Sequence, residues 1–155
     1  MTKILLVEDE APKRNHIRAV IMEIMPDAMV ETARSVNSAL DWLESSAFDL
    51  LLLDMSLPTF DVTEEETGGR PQGFGGLEVL RHMTMAGISC PTIVITGYEG
   101  FVRSAGATVD LGQLSKELFD EFPEKLQAVL HYNSTLDEWR KVLAKFIRRA
   151  GAKGD

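Results

Sequence analysis

Four consecutive leucines, Leu50 to Leu53, run into Asp54. Side chains of a strand alternate between its two faces, so an unbroken apolar run of this length belongs to a strand covered on both sides. Ile4-Leu5-Leu6-Val7 and Thr92-Ile93-Val94-Ile95 have the same character. Met29 to Ala33 and Ala128 to Tyr132 read as two more strands, and the leucine strand begins at Phe48. Between these runs apolar residues recur at helical spacing. Pro12 stands near the start of a helix carrying Ile17, Val20, Ile21 and Ile24, and Pro26 stops it. Ser35 caps a helix with Val36, Ala39, Leu40 and Leu43. Gly76 to Met85 and Asp110 to Phe122 read as helices, and Thr135 and Glu138 have capping-box spacing for a last one carrying Trp139, Leu143 and Ile147. Strand and helix thus alternate along the chain. That order implies a single α/β domain over residues 1–150, with a parallel sheet, helices on both faces and a short tail at 151–155.

Charge narrows the classes of partner. The net charge is -8 and the pI about 4.9, which argues against non-specific binding to nucleic acid or to an anionic membrane. Arg148, Arg149 and Lys153 are read as cations favoured at a helix C-terminus. The one cysteine, Cys90, allows no intrachain disulfide and reads as a small packing residue. No apolar run approaches the roughly 20 residues that cross a bilayer. The expected location is the cytoplasm.

The acids carry the chemistry. Ligands of an open parallel sheet bind beyond the C-terminal ends of its strands. Glu8 and Asp9 directly follow the first strand, and Asp54 follows the third. If these strands are neighbours, three carboxylates share one crevice, and their mutual repulsion calls for a cation. Oxygen ligands completed by water suit Mg²⁺, and the backbone carbonyl of Ser56 is a further candidate ligand. Thr96 ends the fourth strand at the same level, where its hydroxyl can donate to a phosphoryl oxygen.

With Glu8-Asp9 in ILLVEDE, Asp54 in DLLLLDMSLP, the helix GLEVLRHM and the strand PTIVITG, the chain resembles a two-component response-regulator receiver domain from Lys3 to about Ile147. The resemblance implies a flavodoxin-like fold with strand order 2-1-3-4-5. It implies Asp54 as phospho-acceptor, Glu8, Asp9, Asp54 and the Ser56 carbonyl around Mg²⁺, and Thr96 as the switch hydroxyl. It also implies autocatalytic phosphoryl acceptance rather than turnover as an enzyme. The partners implied are a sensor histidine kinase or phosphotransfer protein and a downstream protein, with a homodimer possible through the fourth and fifth elements. The docking face would include Gln113, Glu117, Tyr132 and Trp139.

Two features depart from the family pattern. The family has a lysine after the fifth strand, where this chain has Tyr132 or Asn133 depending on alignment. Lys116 and Lys125 are not at that end, and Arg103 is a candidate substitute from a loop. The loops 56–75 and 97–109 are expanded. In the first, the acids Asp61, Glu64, Glu65 and Glu66 read as a solvated face, and the glycines Gly68, Gly69, Gly73, Gly75 and Gly76 as a flexible lid or partner loop. In the second, Tyr98 is either a gate or a packed loop aromatic. Three readings therefore stand: a stand-alone phosphorylation switch, a pseudo-receiver that binds partners without phosphate, and a Mg²⁺-dependent phosphohydrolase.

Overall fold

A computed structural model of the chain describes residues 1–61, 74–97, 100–102, 108–133 and 138–153. The parallel strands are β1 (Lys3–Val7), β2 (Met29–Ala33), β3 (Leu50–Leu53), β4 (Thr92–Thr96) and β7 (Leu126–His131). They lie in the order β2-β1-β3-β4-β7. A second, antiparallel pair, β5 (Gly100–Val102) and β6 (Thr108–Asp110), stands apart from that sheet. With the pair set aside, the order is the expected 2-1-3-4-5. The expected loop at 97–109 therefore carries a short β-ribbon with Phe101 opposite Val109. Its strands are only three residues long, too short for periodicity to reveal.

The non-alternating strands follow from two covered faces. Leu5, Val7, Leu51, Leu53 and Val94 pack against α2 (Val36–Ser45), α3 (Gly75–Ala86) and α4 (Leu111–Glu121). Ile4, Leu6, Leu50, Leu52, Ile93 and Ile95 pack against α1 (Ala11–Ile24) and α5 (Glu138–Lys153). Leu51 and Leu52 have no exposed surface, and burial of one such side chain contributes about 1.5–3 kcal/mol. That packing holds the end of β3, and with it Asp54, in place. α5 continues through Gly151 to Lys153, so the residues read as a tail begin inside the last helix.

Helix ends match their local chemistry. Ser35 accepts from Ser38 N as the N-cap of α2, and Asp110 accepts from Gln113 N as the N-cap of α4. α3 stops at Gly87, whose φ of 70° is the left-handed conformation that glycine adopts at no steric cost. Asp61, expected on a solvated acid face, is exposed and also accepts from Ser35 Oγ and Ser38 Oγ at 2.5 and 2.8 Å, tying the chain after β3 to the start of α2. Gly75 and Gly76, expected in a flexible lid, are buried in the first turn of α3. A Cβ at Gly76 would collide with the Asp54 carbonyl and with Met55, and one at Gly75 with Leu57. They are close-packing residues. Glu64, Glu65, Glu66, Gly68, Gly69, Gly73, Tyr98, Arg103 and Thr135 lie outside the described residues.

Candidate functional site

β1 and β3 are direct neighbours, with Val7 opposite Leu53, so the residues that follow them emerge side by side. Glu8, Asp9 and Asp54 each bring a carboxylate oxygen within 4.8 Å of the others. Glu8 is 1% exposed and Asp54 4%. Thr96, at the end of β4, has no exposed surface, and its carbonyl accepts from Tyr132 N at 2.8 Å. Ser56 is buried two residues beyond Asp54. The expected acids and hydroxyl therefore stand at one end of one sheet.

A residue not singled out from the sequence completes this cluster. Lys13, in the first turn of α1, sends its ammonium into the pocket and is 5% exposed. Its Nζ lies 2.5 Å from Glu8 Oε1 and 3.2 Å from Asp54 Oδ1. It donates to the Ile95 carbonyl at 2.9 Å. A cation in the first turn of a helix opposes the helix dipole, so these contacts, not the helix, hold it there. The signal was present in the spacing: Lys13, Ile17, Val20 and Ile21 occupy one stripe of α1, and all four are buried.

Electrostatics show a pocket short of positive charge. Burial pushes the Asp54 carboxyl up to about 7, with the Lys13 charge opposing and the Glu8 charge adding. Burial likewise raises Glu8, against the pull of Lys13, and raises Asp9, helped by the Asp54 charge. Burial works against the charged form of Lys13, but the Asp54 and Glu8 charges outweigh it and leave that ammonium more firmly protonated than usual. One ammonium thus does not compensate three desolvated carboxylates. Among the described residues, buried Asp9 Oδ1 has no hydrogen-bond partner, and buried Glu8 Oε1 and Asp54 Oδ1 are met only by the one Lys13 ammonium. Such all-oxygen, under-neutralised donors fit a hard divalent cation.

The surroundings correct one expectation. Trp139, expected on a docking face, packs inward instead, and Tyr132, expected there too, is half-buried against it. Trp139 is 2% exposed and donates through Nε1 to the Asn133 carbonyl at 2.8 Å. Tyr132 Oη meets His16 Nδ1 at 2.8 Å, and the His16, Tyr132 and Trp139 rings are in mutual contact. His16 is half-buried in that cluster. Gln113 and Glu117 are exposed on α4 as expected. Lys116 is exposed, and Lys125 bonds Thr84 Oγ1 at 3.1 Å, so neither takes part in the acid pocket. The Cys90 thiol is buried and pushed up to about 12 by burial and by the Asp49 charge, as suits a packing residue. Among the described residues, no helix is long and apolar enough to cross a membrane.

Comparison with known proteins agrees with this geometry. Residues 4–117 match the family model described as the response regulator receiver domain. The chain is 28% identical over 147 residues to the Detocs response regulatory protein DtcB of Enterobacter cloacae, covering 94% of this chain and 97% of that protein. It is 30% identical over 121 residues to the response regulator UvrY of Escherichia coli, covering 75% of this chain but only 48% of UvrY. Among solved structures it is similar to the response regulator TrrA of Thermotoga maritima, crystallised with Mg(2+)-BeF. The TM-score is 0.60 at 21% identity, over 94% of this chain and 98% of that one. A CheY-like receiver domain protein of Methanospirillum hungatei gives a TM-score of 0.64 at 18% identity, over 99% and 97% of the two chains.

Proposed function

The chain belongs to the response regulator receiver domain family, and from that premise we propose that it is a Mg²⁺-dependent phosphoryl acceptor whose acceptor residue is Asp54. The carrying observation is the buried convergence of Glu8, Asp9 and Asp54, their ligand oxygens within 4.8 Å and short of compensating charge. The TrrA structure, which holds Mg(2+)-BeF, supports the same chemistry for this fold.

Glu8, Asp9 and Asp54, with the Ser56 carbonyl, would hold the ion. When bound, Mg²⁺ neutralises charge on the carboxylate and on the incoming phosphoryl group. An Asp54 carboxylate oxygen attacks phosphorus and forms an acyl phosphate. The P–N bond of a donor phosphohistidine, or the P–O bond of a small acyl phosphate, breaks, and the leaving group takes the electron pair. Thr96 donates its hydroxyl hydrogen bond to a phosphoryl oxygen. The new charge then biases the segment after β4. The protein works as a switch read by a protein partner, and its phosphoryl donor is a histidine kinase or phosphotransfer protein.

One observation favours the pseudo-receiver reading. Lys13 already partners Glu8 and Asp54, and a lysine that locks the pocket would leave a binding module. An amide NMR titration with Mg²⁺, then beryllofluoride, separates the two. The acceptor reading expects Mg²⁺ to perturb Glu8, Asp9 and Asp54, and beryllofluoride then to move Thr96 and its flank. Mg²⁺ binding with no response to beryllofluoride would favour the pseudo-receiver.

A further inference from the structure

We propose that Lys13, reaching in from the first turn of α1, is the cation that pairs with the phosphoryl group on Asp54, in place of the lysine the family carries after the last strand of its sheet. The inference rests on the reading of Asp54 as phospho-acceptor.

Its position carries the proposal. The Lys13 ammonium is 3.2 Å from Asp54 Oδ1, so an oxygen of a phosphoryl group attached to Asp54 comes within reach of the same nitrogen. It is aimed by the Ile95 carbonyl at 2.9 Å, one residue before Thr96. The ammonium and the switch hydroxyl are therefore set by adjacent residues of β4, as two donors to one anion need to be. Tyr132 explains why the lysine enters from elsewhere. Its N–H bonds the Thr96 carbonyl, which places it at the end of β7 where the family lysine is expected. It offers no cation there. Its hydroxyl is turned to His16, and its ring lies 5.6 Å from Lys13 Nζ as a platform beneath the ammonium. The cation is thus supplied by α1 to the place that the last strand has left uncharged.

The charge balance agrees. Phosphoryl transfer to Asp54 adds negative charge to a pocket already holding Glu8 and Asp9, and only one buried ammonium faces it among the described residues. The unbranched stem of Lys13 lets Nζ leave Glu8 Oε1 for a phosphoryl oxygen without movement of α1.

The test uses the full chain, Mg²⁺ and beryllofluoride, with lysine ¹³C-labelled at Cε. In the unaltered protein, beryllofluoride added after Mg²⁺ is expected to shift the Lys13 Cε resonance. An unmoved Lys13 resonance alongside a shifted Thr96 amide overturns the proposal and leaves Asp54 as acceptor. No response at either residue overturns both readings. In Lys13→Met, Mg²⁺ binding is expected to persist while beryllofluoride affinity falls about tenfold to a hundredfold, the scale of one charge-assisted hydrogen bond. Adding Tyr132→Lys to that variant is expected to restore the affinity. Lys13→Met binding beryllofluoride as tightly as the unaltered protein, or more tightly, would show that Lys13 obstructs or merely lines the site. Should Lys13→Met not fold, the Cε resonance decides alone.

Discussion

Lys13 Nζ stands 3.2 Å from Asp54 Oδ1, joining the first turn of α1 to the end of β3 through two side chains that are almost wholly buried. The same ammonium meets Glu8. The pocket is therefore partly neutralised from within, and the remaining negative charge is what a divalent cation would meet.

Removing one acid at a time separates metal binding from phosphoryl acceptance. Glu8→Gln and Asp9→Asn are expected to weaken Mg²⁺ by no less than the ~10–100-fold that outer-shell partners of a metal site command. Calorimetric titration of each variant checks this. Their folds should hold at neutral pH, because each substitution also removes like-charge repulsion.

The raised carboxyls make the protein pH-sensitive with a defined sign. Asp54 is pushed up to about 7 from an ordinary 3.8, so between those values the folded chain holds a proton that the unfolded chain releases. Glu8 and Asp9 shift in the same direction. Without Mg²⁺, stability is expected to fall as pH rises from about 4 to about 7 through these groups. The raised Lys13 acts in the same sense, but only at alkaline pH, outside that window. Because bound metal needs the ionised carboxylates, Mg²⁺ affinity should rise with pH through about 7. Thermal melts at pH 5 and pH 8, with and without Mg²⁺, measure both effects; stabilisation by Mg²⁺ that is greater at pH 5 would refute the sign.

Gly76 is expected to be intolerant of a side chain. Its Cβ would meet the Asp54 carbonyl and Met55, which are parts of the site rather than yielding surface. Gly76→Ala should cost about 1–3 kcal/mol, as overpacking does, and lower Mg²⁺ affinity as well. Denaturant unfolding and the Mg²⁺ titration read the two effects separately.

Trp139 holds the platform under Lys13. It is 2% exposed and touches both Tyr132 and His16. Trp139→Ala should destabilise by about 3–5 kcal/mol. Trp139→Phe keeps the ring contacts, loses the hydrogen bond to the Asn133 carbonyl, and should cost less. Chemical denaturation of the two variants checks the order.

The fold was legible because both faces of the sheet are covered. Unbroken runs such as Leu50 to Leu53 have no other comfortable place. Glu8, Asp9, Asp54 and Thr96 were legible for a related reason: each follows or ends its own apolar strand, and neighbouring parallel strands bring such ends together. Lys13 was not, although it shares the buried stripe of α1 with Ile17 and Ile21. A lysine at a helix start reads as solvated unless its burial is questioned. The β5–β6 ribbon was hidden by its length, and the inward turn of Trp139, with Tyr132 half-buried against it, by their partnership with His16, a residue more than a hundred positions away in sequence from either. Gly75 and Gly76 read as lid residues because a glycine-rich composition does not say which glycine a backbone presses against.

The most direct test of Asp54 as acceptor is intact-mass spectrometry of the full chain after incubation with acetyl phosphate. The account predicts a gain of one phosphoryl group in the presence of Mg²⁺, its loss when Mg²⁺ is chelated, and its absence in Asp54→Asn. No gain in the unaltered protein with Mg²⁺ present, or the same gain in Asp54→Asn, would contradict it.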